Sequence, residues 1–381
     1  MTSPDPTTPV RVAVVGAMGF GRIHLRALRA MRPAALLCGV VDPRPLEGEA
    51  LELAGDVPAY HSLTSLLADQ VPDVVAIASP IPTHAPLAVQ AVHAGCHVLV
   101  EKPPTATWAD YQQLLAVAAE TDRAVQVGFQ ADGSTAYDRI AEIVAAGEIG
   151  EVRGVGAVGA WVREPAYYAR AAWAGRRRLD GVEVVDGVVT NPFAHAVQAA
   201  LRVAGARRAE RVETVEVELF HANDIEADDT SAVRVVTTDG LPVALGLTLC
   251  AAADREPEVL VHGTAGRIVL RYKIDEIEVV TARGTRTSTA STTGLLPNLV
   301  AHVRDRSVPL LSGLADAGGF MRVMEAVRTA PDPAQIDVAH VEHVGGRVQV
   351  RDAELWCRRV AEELRTFTGL GAPWARDAAA R

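Results

Sequence analysis

Between Val10 and Phe129 the chain repeats one pattern, a short run that is almost wholly apolar followed by a stretch with helical periodicity. The runs are Val10–Val15, Leu36–Asp42, Asp73–Ser79, His97–Glu101 and Ala124–Phe129. Strands that are apolar along their whole length, rather than at alternate positions, need cover on both faces, and the helices between them supply it. The pattern therefore predicts an α/β class and a doubly wound parallel sheet that ends near Gln130. The helices are read as Gly19–Met31, Pro86–Ala94, and one capped by Thr107 that runs to about Glu120, with Asp110 at its third position as a variant capping box.

The pattern then changes. A helix over Thr135–Ala146 closes at Gly147, and a strand and an aromatic-rich loop precede a helix starting near Pro192. Strand runs follow directly on one another at Val212–Phe220, Ser231–Thr238, Val243–Leu249, Glu258–Gly263, Gly266–Tyr272 and Glu276–Val280. Neighbouring strands of this kind predict a large, mostly antiparallel open sheet in an α+β domain. Thr281–Thr293 is polar and is read as a loop, and helices return from about Ala315 and over Asp352–Thr366. The division expected is a disordered tail over residues 1–9, one domain over 10–130 and a second over 131–381.

Composition narrows the function classes. A chain of 381 residues has material for two cores. Its net charge of -10 lacks the basic footprint of a nucleic-acid binder. No apolar run is long enough to span a membrane, and the start MTSPDPTTP is unlike a secretory signal. The four cysteines lie far apart, with no zinc-ligand spacing. The expectation is a soluble cytoplasmic protein without a metal, a membrane partner or a nucleic-acid partner.

The turn after the first strand reads Gly16-Ala17-Met18-Gly19-Phe20-Gly21. Backbone N–H groups at such a strand-to-helix turn face the pyrophosphate of a dinucleotide, and glycines let it come close. Met18 stands where the usual spacing has glycine, so its side chain must point away or the turn must differ. Asp42 ends the second strand, the place for a carboxylate that accepts hydrogen bonds from ribose hydroxyls. A carboxylate there disfavours a 2′-phosphate, so NAD is expected over NADP, with Arg44 leaving NADP open.

Of 37 basic residues only Lys102 and Lys273 are lysine. Lys273 reads as a solvated strand residue. Lys102 follows the buried run Val98-Leu99-Val100-Glu101 and precedes Pro103-Pro104, so it stands at the carboxyl edge of the sheet, where open α/β folds place ligands. A Lys-Pro bond is cis at modest cost, which would aim the side chain inward. An ammonium there can donate to a substrate oxygen and stabilise developing alkoxide charge.

Three segments, Gly16–His24 (GAMGFGRIH), Ser79–Pro103 (SPIPTHAPLAVQAVHAGCHVLVEKP) and Gly147–Gly150 (GEIG), give the chain a resemblance to the glucose–fructose oxidoreductase, inositol dehydrogenase and rhizopine-catabolism (Gfo/Idh/MocA) family over about residues 10–330. The resemblance implies a Rossmann domain, then an α/β domain whose sheet often joins copies into a dimer or tetramer. It implies hydride transfer between a nicotinamide and a sugar, polyol or related alcohol. Lys102 matches the family lysine. Ser79, Pro80, His84 and Glu101, with Gln130, match residues that line the nicotinamide side.

The family carries an Asp and a His four apart at a helix start. Here the matching stretch is Asn191-Pro192-Phe193-Ala194-His195. His195 then matches the proton-transfer residue, and an alcohol losing hydride does need a base within reach. Asn191 replaces the aspartate, and Asn followed by Pro is also an ordinary helix start. Asp186 or Asp180 could supply the missing carboxylate. In the loop before this helix, Tyr168 and Trp173 offer aromatic faces to a sugar, or pack the loop onto the core. Arg177, with Arg170 and Arg176, could instead hold an anionic ligand. His24 is read as a structural hydrogen-bonder.

Three functions remain open. The first is an NAD(P)-dependent dehydrogenase or reductase acting on CH–OH groups. The second is a redox-neutral sugar-modifying enzyme that oxidises its substrate transiently with bound NAD. The third is a non-catalytic NAD-binding sensor, motivated by Met18 and Asn191.

Overall fold

The computed structural model describes residues 8–379. The chain forms two compact units, one of residues up to Gly133 with Thr293–Ala315, the other of Ser134–Thr292 with Asp316 onward. The tail expected over residues 1–9 lies, through residue 7, outside the described residues.

The first unit contains β1 (Val10–Val15), α1 (Gly21–Ala30), β2 (Ala35–Val41), α2 (Gly48–Ala54), β3 (Ala59–Tyr60), α3 (Leu63–Asp69), β4 (Val74–Ile77), α4 (His84–His93), β5 (His97–Val100), α5 (Trp108–Thr121) and β6 (Val125–Val127). The sheet order is β3-β2-β1-β4-β5-β6, with every pairing parallel. Every residue of β4 and β5 is buried, which is why those runs carry no polar alternation. Thr107 caps α5 by accepting from the Asp110 backbone N–H at 3.1 Å, and its hydroxyl donates to the Asp110 carboxylate at 2.8 Å.

The contiguous division at residue 130 is corrected by Thr293–Ala315. The helix Leu295–Arg304 places Leu295, Leu296, Leu299 and Val300 in one core with Val12, Val14, Val74 and Leu99. The fully buried Gln126 ties this segment down. Its Nε2 donates to the Leu295 carbonyl at 2.6 Å, and its Oε1 accepts from Ser312 N–H at 3.3 Å.

The second unit is built on β7 (Val152–Ala160), β10 (Val212–His221), β11 (Thr230–Thr237), β12 (Pro242–Thr248), β13 (Glu258–Gly263), β14 (Gly266–Arg271), β15 (Glu276–Thr281), β16 (Gly284–Thr289) and β17 (Ala334–Gln335). The short strands β8 (Arg178–Leu179) and β9 (Val182–Glu183) form a separate hairpin. The large sheet runs β16-β15-β14-β13-β7-β12-β11-β10-β17 and is antiparallel except at β7–β12 and β10–β17. The polar stretch expected as a loop over Thr281–Thr293 contains β16. This edge strand is solvated along nearly its whole length, so it has no apolar side to mark it. Lys273, expected within a strand, lies in the turn between β14 and β15, with Nζ 3.8 Å from Glu256 Oε1.

Both faces of the central strands are covered. A Cβ on Gly156 would lie 2.0 Å from the Ala361 carbonyl oxygen, and one on Gly246 would lie 2.4 Å from that of Cys357. The helix Ala353–Glu363 therefore sits directly on β7 and β12. Gly159, three residues along β7, meets the Phe193 ring instead. Residues an odd number apart on a strand face opposite ways, so the helix Ala194–Val203 that follows Phe193 packs on the other side. Val360, Phe367 and Trp374 close the first face in one cluster with Val158, Ala244 and Leu260. Burying side chains such as Val360 and Phe367 contributes about 2 kcal/mol each. The face expected to receive a second copy is, over these strands, filled by the chain's own C-terminal helices.

Candidate active site

The nucleotide end is built at the carboxyl edge of the parallel sheet. Gly16 has φ +81°, and a Cβ there would lie 2.7 Å from the carbonyl carbon and oxygen of Ala78. Only glycine fits that crossing between the ends of β1 and β4. The turn continues through Met18, exposed Gly19 and Phe20 into α1 at Gly21, and α1 has no acidic residue in its first turn. Met18 N–H points at Asp42 Oδ2, 3.4 Å away. Asp42, 8% exposed, follows β2 as expected. Its Oδ1 accepts from Arg44 N–H at 3.1 Å and lies 3.5 Å from Arg44 Nε, while most of the Arg44 side chain is in solvent.

Beside this turn, Ser79 Oγ and Thr83 Oγ1 are 2.6 Å apart, and Thr83 Oγ1 donates to the carbonyl of Pro80, itself exposed. His84 is buried with Nε2 2.8 Å from the Ser79 carbonyl and Nδ1 2.7 Å from that of Pro103. It thus joins the segment after β4 to the segment after β5. Burial pushes its pKa down, while the two carbonyls pull it up.

Lys102, half-buried, lies just beyond β5 and precedes a cis bond to Pro103. Glu101 before it is 7% exposed. One of its oxygens lies 3.1 Å from His24 Nε2 and accepts from Gln130 Nε2 at 3.5 Å. Gly128, just beyond β6, leaves the space this carboxylate fills, since a Cβ there would lie 2.5 Å from Glu101 Oε2. Glu101 is therefore a buried anchor whose neighbours are His24, Gln130 and Gly128. The reading of the sequence gave no role to Gly128, whose signal is a glycine directly after a strand.

In the second unit the helix carrying His195 begins at Ala194, with Phe193 before it and no side-chain cap. The helix start read at Asn191-Pro192 is corrected. Asn191 lies in the preceding turn, where its N–H donates to the Gly187 carbonyl at 3.1 Å and its Nδ2 donates to Asp186 Oδ1 at 2.5 Å. Asp186, read as a carboxylate that could replace the missing aspartate, is 5% exposed, and its other oxygen accepts from Gly175 N–H at 2.8 Å and Arg170 Nη2 at 3.2 Å. It faces protein groups on both sides. Asp180 has φ +51° at the tip of the β8–β9 hairpin.

The aromatic loop resolves unevenly. The Arg170 guanidinium lies 4.7 Å from the centroid of the half-buried Trp173 ring and 3.7 Å from that of Tyr167. Tyr168 lines a cavity of about 600 Å³ with Gly175, Arg176, Asp224 and Glu226, and burial drives its hydroxyl pKa up. Arg177 borders an adjoining cavity of about 720 Å³, but its Nη2 donates to the carbonyls of Val327, Arg328 and Ala330. It thereby caps the C-terminal end of the helix Gly318–Thr329. His195, Asn191 and Asp186 line neither cavity. Among the described residues, no group of His, Cys, Asp and Glu is placed to hold a metal, and no helix is long and apolar enough to cross a membrane.

A parallel sheet with a glycine crossing, an uncapped helix start and a carboxylate at the end of β2 defines a dinucleotide-binding α/β protein. The comparisons refine that class. A family model described as an oxidoreductase family with an NAD-binding Rossmann fold matches residues 10–129, and a GFO/IDH/MocA C-terminal domain model matches residues 137–269. Together they span about two-thirds of the chain, which belongs to the Gfo/Idh/MocA oxidoreductase family.

Inositol 2-dehydrogenase 1 of Saccharopolyspora erythraea is 37% identical over 145 residues, 37% of this chain and 43% of the relative. A dTDP-3,4-didehydro-2,6-dideoxy-alpha-D-glucose 3-reductase of Streptomyces violaceoruber is 33% identical over 157 residues, 40% of this chain and 45% of the relative. The chain thus spans less than half the length of these curated relatives. The WlbA dehydrogenase from Bordetella pertussis, solved with NADH and UDP-GlcNAcA, has a TM-score of 0.69 at 22% identity, covering 84% of this chain and 95% of that one. At that identity the likeness is one of fold.

The residues present fit a nicotinamide dinucleotide. At Gly16 the turn crosses the Ala78 backbone too closely for a Cβ, and Gly19 opens outward with no atom within 4 Å of a Cβ position. The Asp42 carboxylate retains acceptor capacity beyond its backbone partners.

Proposed function

We propose that this protein is an NAD(P)-dependent oxidoreductase that moves a hydride between the nicotinamide and a secondary alcohol or ketone of a sugar, polyol or related small molecule. The observation that carries the reading is the gathering of the Gly16–Gly21 turn, Asp42 and Lys102 at the carboxyl ends of β1, β2 and β5. The relatives' names, an inositol dehydrogenase and a sugar 3-reductase, support the substrate class.

The bound dinucleotide supplies the hydride acceptor or donor. The backbone from Gly19 to Gly21 would hold its pyrophosphate, and Asp42 would accept from its ribose hydroxyls, which favours NAD. Ser79, Pro80 and His84 shape the segment beside the nicotinamide, and Glu101 with Gln130 fixes the backbone that carries Lys102. Lys102 donates to the reacting oxygen and stabilises its negative charge as the carbonyl is reduced or the alcohol ionises. His195 takes or returns the hydroxyl proton, and Asn191 helps to place the substrate.

A cytoplasmic setting agrees with four cysteines that are all unpaired. Assembly of copies through the second unit's sheet would have to use its outer strands, because the central ones are covered. The test is substitution. Lys102→Ala and His195→Ala abolish turnover of a sugar and polyol panel while cofactor binding survives. Full activity in both variants contradicts the assignment.

A further inference from the structure

We infer that His84 is a positioning residue that works through its proton: the imidazolium ties the segment after β4 to the segment that carries Lys102, and the neutral ring releases one of them. The inference rests on the functional reading above, in the part given there to Lys102.

His84 opens α4 and is 1% exposed. Its Nε2 lies 2.8 Å from the Ser79 carbonyl oxygen, and its Nδ1 lies 2.7 Å from that of Pro103. A carbonyl oxygen accepts and never donates, so each contact is a hydrogen bond only when that ring nitrogen carries a proton. A neutral imidazole has one N–H. It can serve Ser79 or Pro103, and it turns a lone pair toward the other. Two contacts this short therefore describe the doubly protonated ring.

The two sides of the tie are not equal. On the β4 side, Thr83 Oγ1 donates to the Pro80 carbonyl at 2.7 Å and lies 2.6 Å from Ser79 Oγ, so that turn keeps its shape without the ring. On the β5 side, Pro103 and Pro104 have no N–H, so their backbone can be held only through carbonyls. Losing the donor to the Pro103 carbonyl frees the backbone directly after Lys102.

Charge around the ring is sparse. Glu101 favours the cation and Lys102 opposes it, both from the segment after β5. Ser79–Thr83, β4 and the first turn of α4 bring no charged side chain. In α5, which packs on α4, the first-turn Asp110 accepts from the Thr107 hydroxyl. Burial is the largest influence and pushes the pKa below the ordinary 6.5. The proton is thus taken up on the acid side of that value. The tie is complete there and opens as pH rises.

The test compares the wild type with His84→Asn, whose side chain has a single nitrogen to donate from. The ratio of wild-type to variant kcat cancels the titration of every group the two proteins share. We expect this ratio to be at least fivefold larger at the acid end of the folded range than at about pH 8, with the ratio of sugar KM values changing less than twofold. A merely structural role would move both ends alike. The readout independent of activity is the His84 ring by ¹⁵N NMR, assigned by its absence from the variant. Both nitrogens should carry protons at the acid end, and one should lose its proton as pH rises, with the Lys102 backbone amide shifting in the same step. His84→Gln takes the place of His84→Asn if the latter does not fold.

A ring that keeps one protonation state throughout the folded range, a Lys102 amide indifferent to its titration, or a flat kcat ratio each overturns the inference. Wild-type protein that turns over no sugar contradicts the functional reading instead, and the ring and amide signals then still decide the tie.

Discussion

His24 Nε2 lies 3.1 Å from Glu101 Oε1, joining α1 to the end of β5 inside the first unit. The contact is buried at both ends, and Gly128 leaves the space that the carboxylate occupies. A methyl group at residue 128 would lie 2.5 Å from Glu101 Oε2. Gly128→Ala therefore displaces the carboxylate and strips His24 of its partner. Leaving such a group unpaired costs about 1–3 kcal/mol. Urea unfolding should show that loss, and turnover should fall with it because Lys102 is the next residue. Unchanged stability would mean that Glu101 moves aside at no cost.

Asp42 offers the second prediction. Its carboxylate stands at the end of β2 with Arg44 Nε 3.5 Å away. Removing it with Asp42→Ala deletes a charged acceptor for the ribose and frees Arg44 for a 2′-phosphate. A hydrogen bond to a charged group contributes about 1.5–3 kcal/mol, which is roughly tenfold to a hundredfold in Kd. Titration of the two cofactors should show NAD binding weakened by that factor and NADP binding weakened less. An unchanged ratio of the two constants would remove Asp42 from the cofactor assignment.

His97 gives a pH dependence. Its Nδ1 accepts from Ala124 N–H at 2.9 Å, and burial, with Arg123 and Arg306 nearby, lowers its pKa from 6.5 to about 4. The folded ring stays neutral in that window while the unfolded ring takes up a proton. Stability from this residue is therefore complete above about pH 6.5 and is lost as pH falls toward 4. The difference is on the order of 3 kcal/mol. Unfolding free energies across this range, compared with His97→Asn, should show a slope in the wild type that the variant loses. Parallel curves would exclude His97 as its source.

The parts of the fold that sequence makes legible are those whose signal is local. β4 and β5 are buried on both faces, so their runs are apolar end to end, and Asp42 just after β2 and Glu101-Lys102 just after β5 stand out as charged residues at strand ends. What escapes is set by distant partners. Nothing within Leu295–Arg304 says that this helix packs with Val12 and Leu99. Nothing near Arg177 says that it donates to the carbonyls of Val327, Arg328 and Ala330, some 150 residues away. Asn191-Pro192 has the residues of a cap, but the Asp186 carboxylate competes for the amide and the helix starts at Ala194.

The C-terminal helices yield a fourth prediction. The Ala361 carbonyl lies 2.0 Å from the Cβ position of Gly156, so Gly156→Val must lift the helix Ala353–Glu363 from the sheet. Overpacking of this kind costs about 1–3 kcal/mol. The variant should lose that stability and bind a dye that reports exposed apolar surface. A variant with wild-type stability would show that these helices are not held on β7.

The central claim is hydride transfer to or from carbon, and isotope transfer tests it directly. A panel of sugars and polyols deuterated at their carbinol carbons is incubated with the protein and NAD, and the nicotinamide is recovered for mass measurement. Deuterium is expected in the nicotinamide for at least one substrate with the wild type, and none with Lys102→Ala. Recovered cofactor free of deuterium with every member of the panel would contradict it.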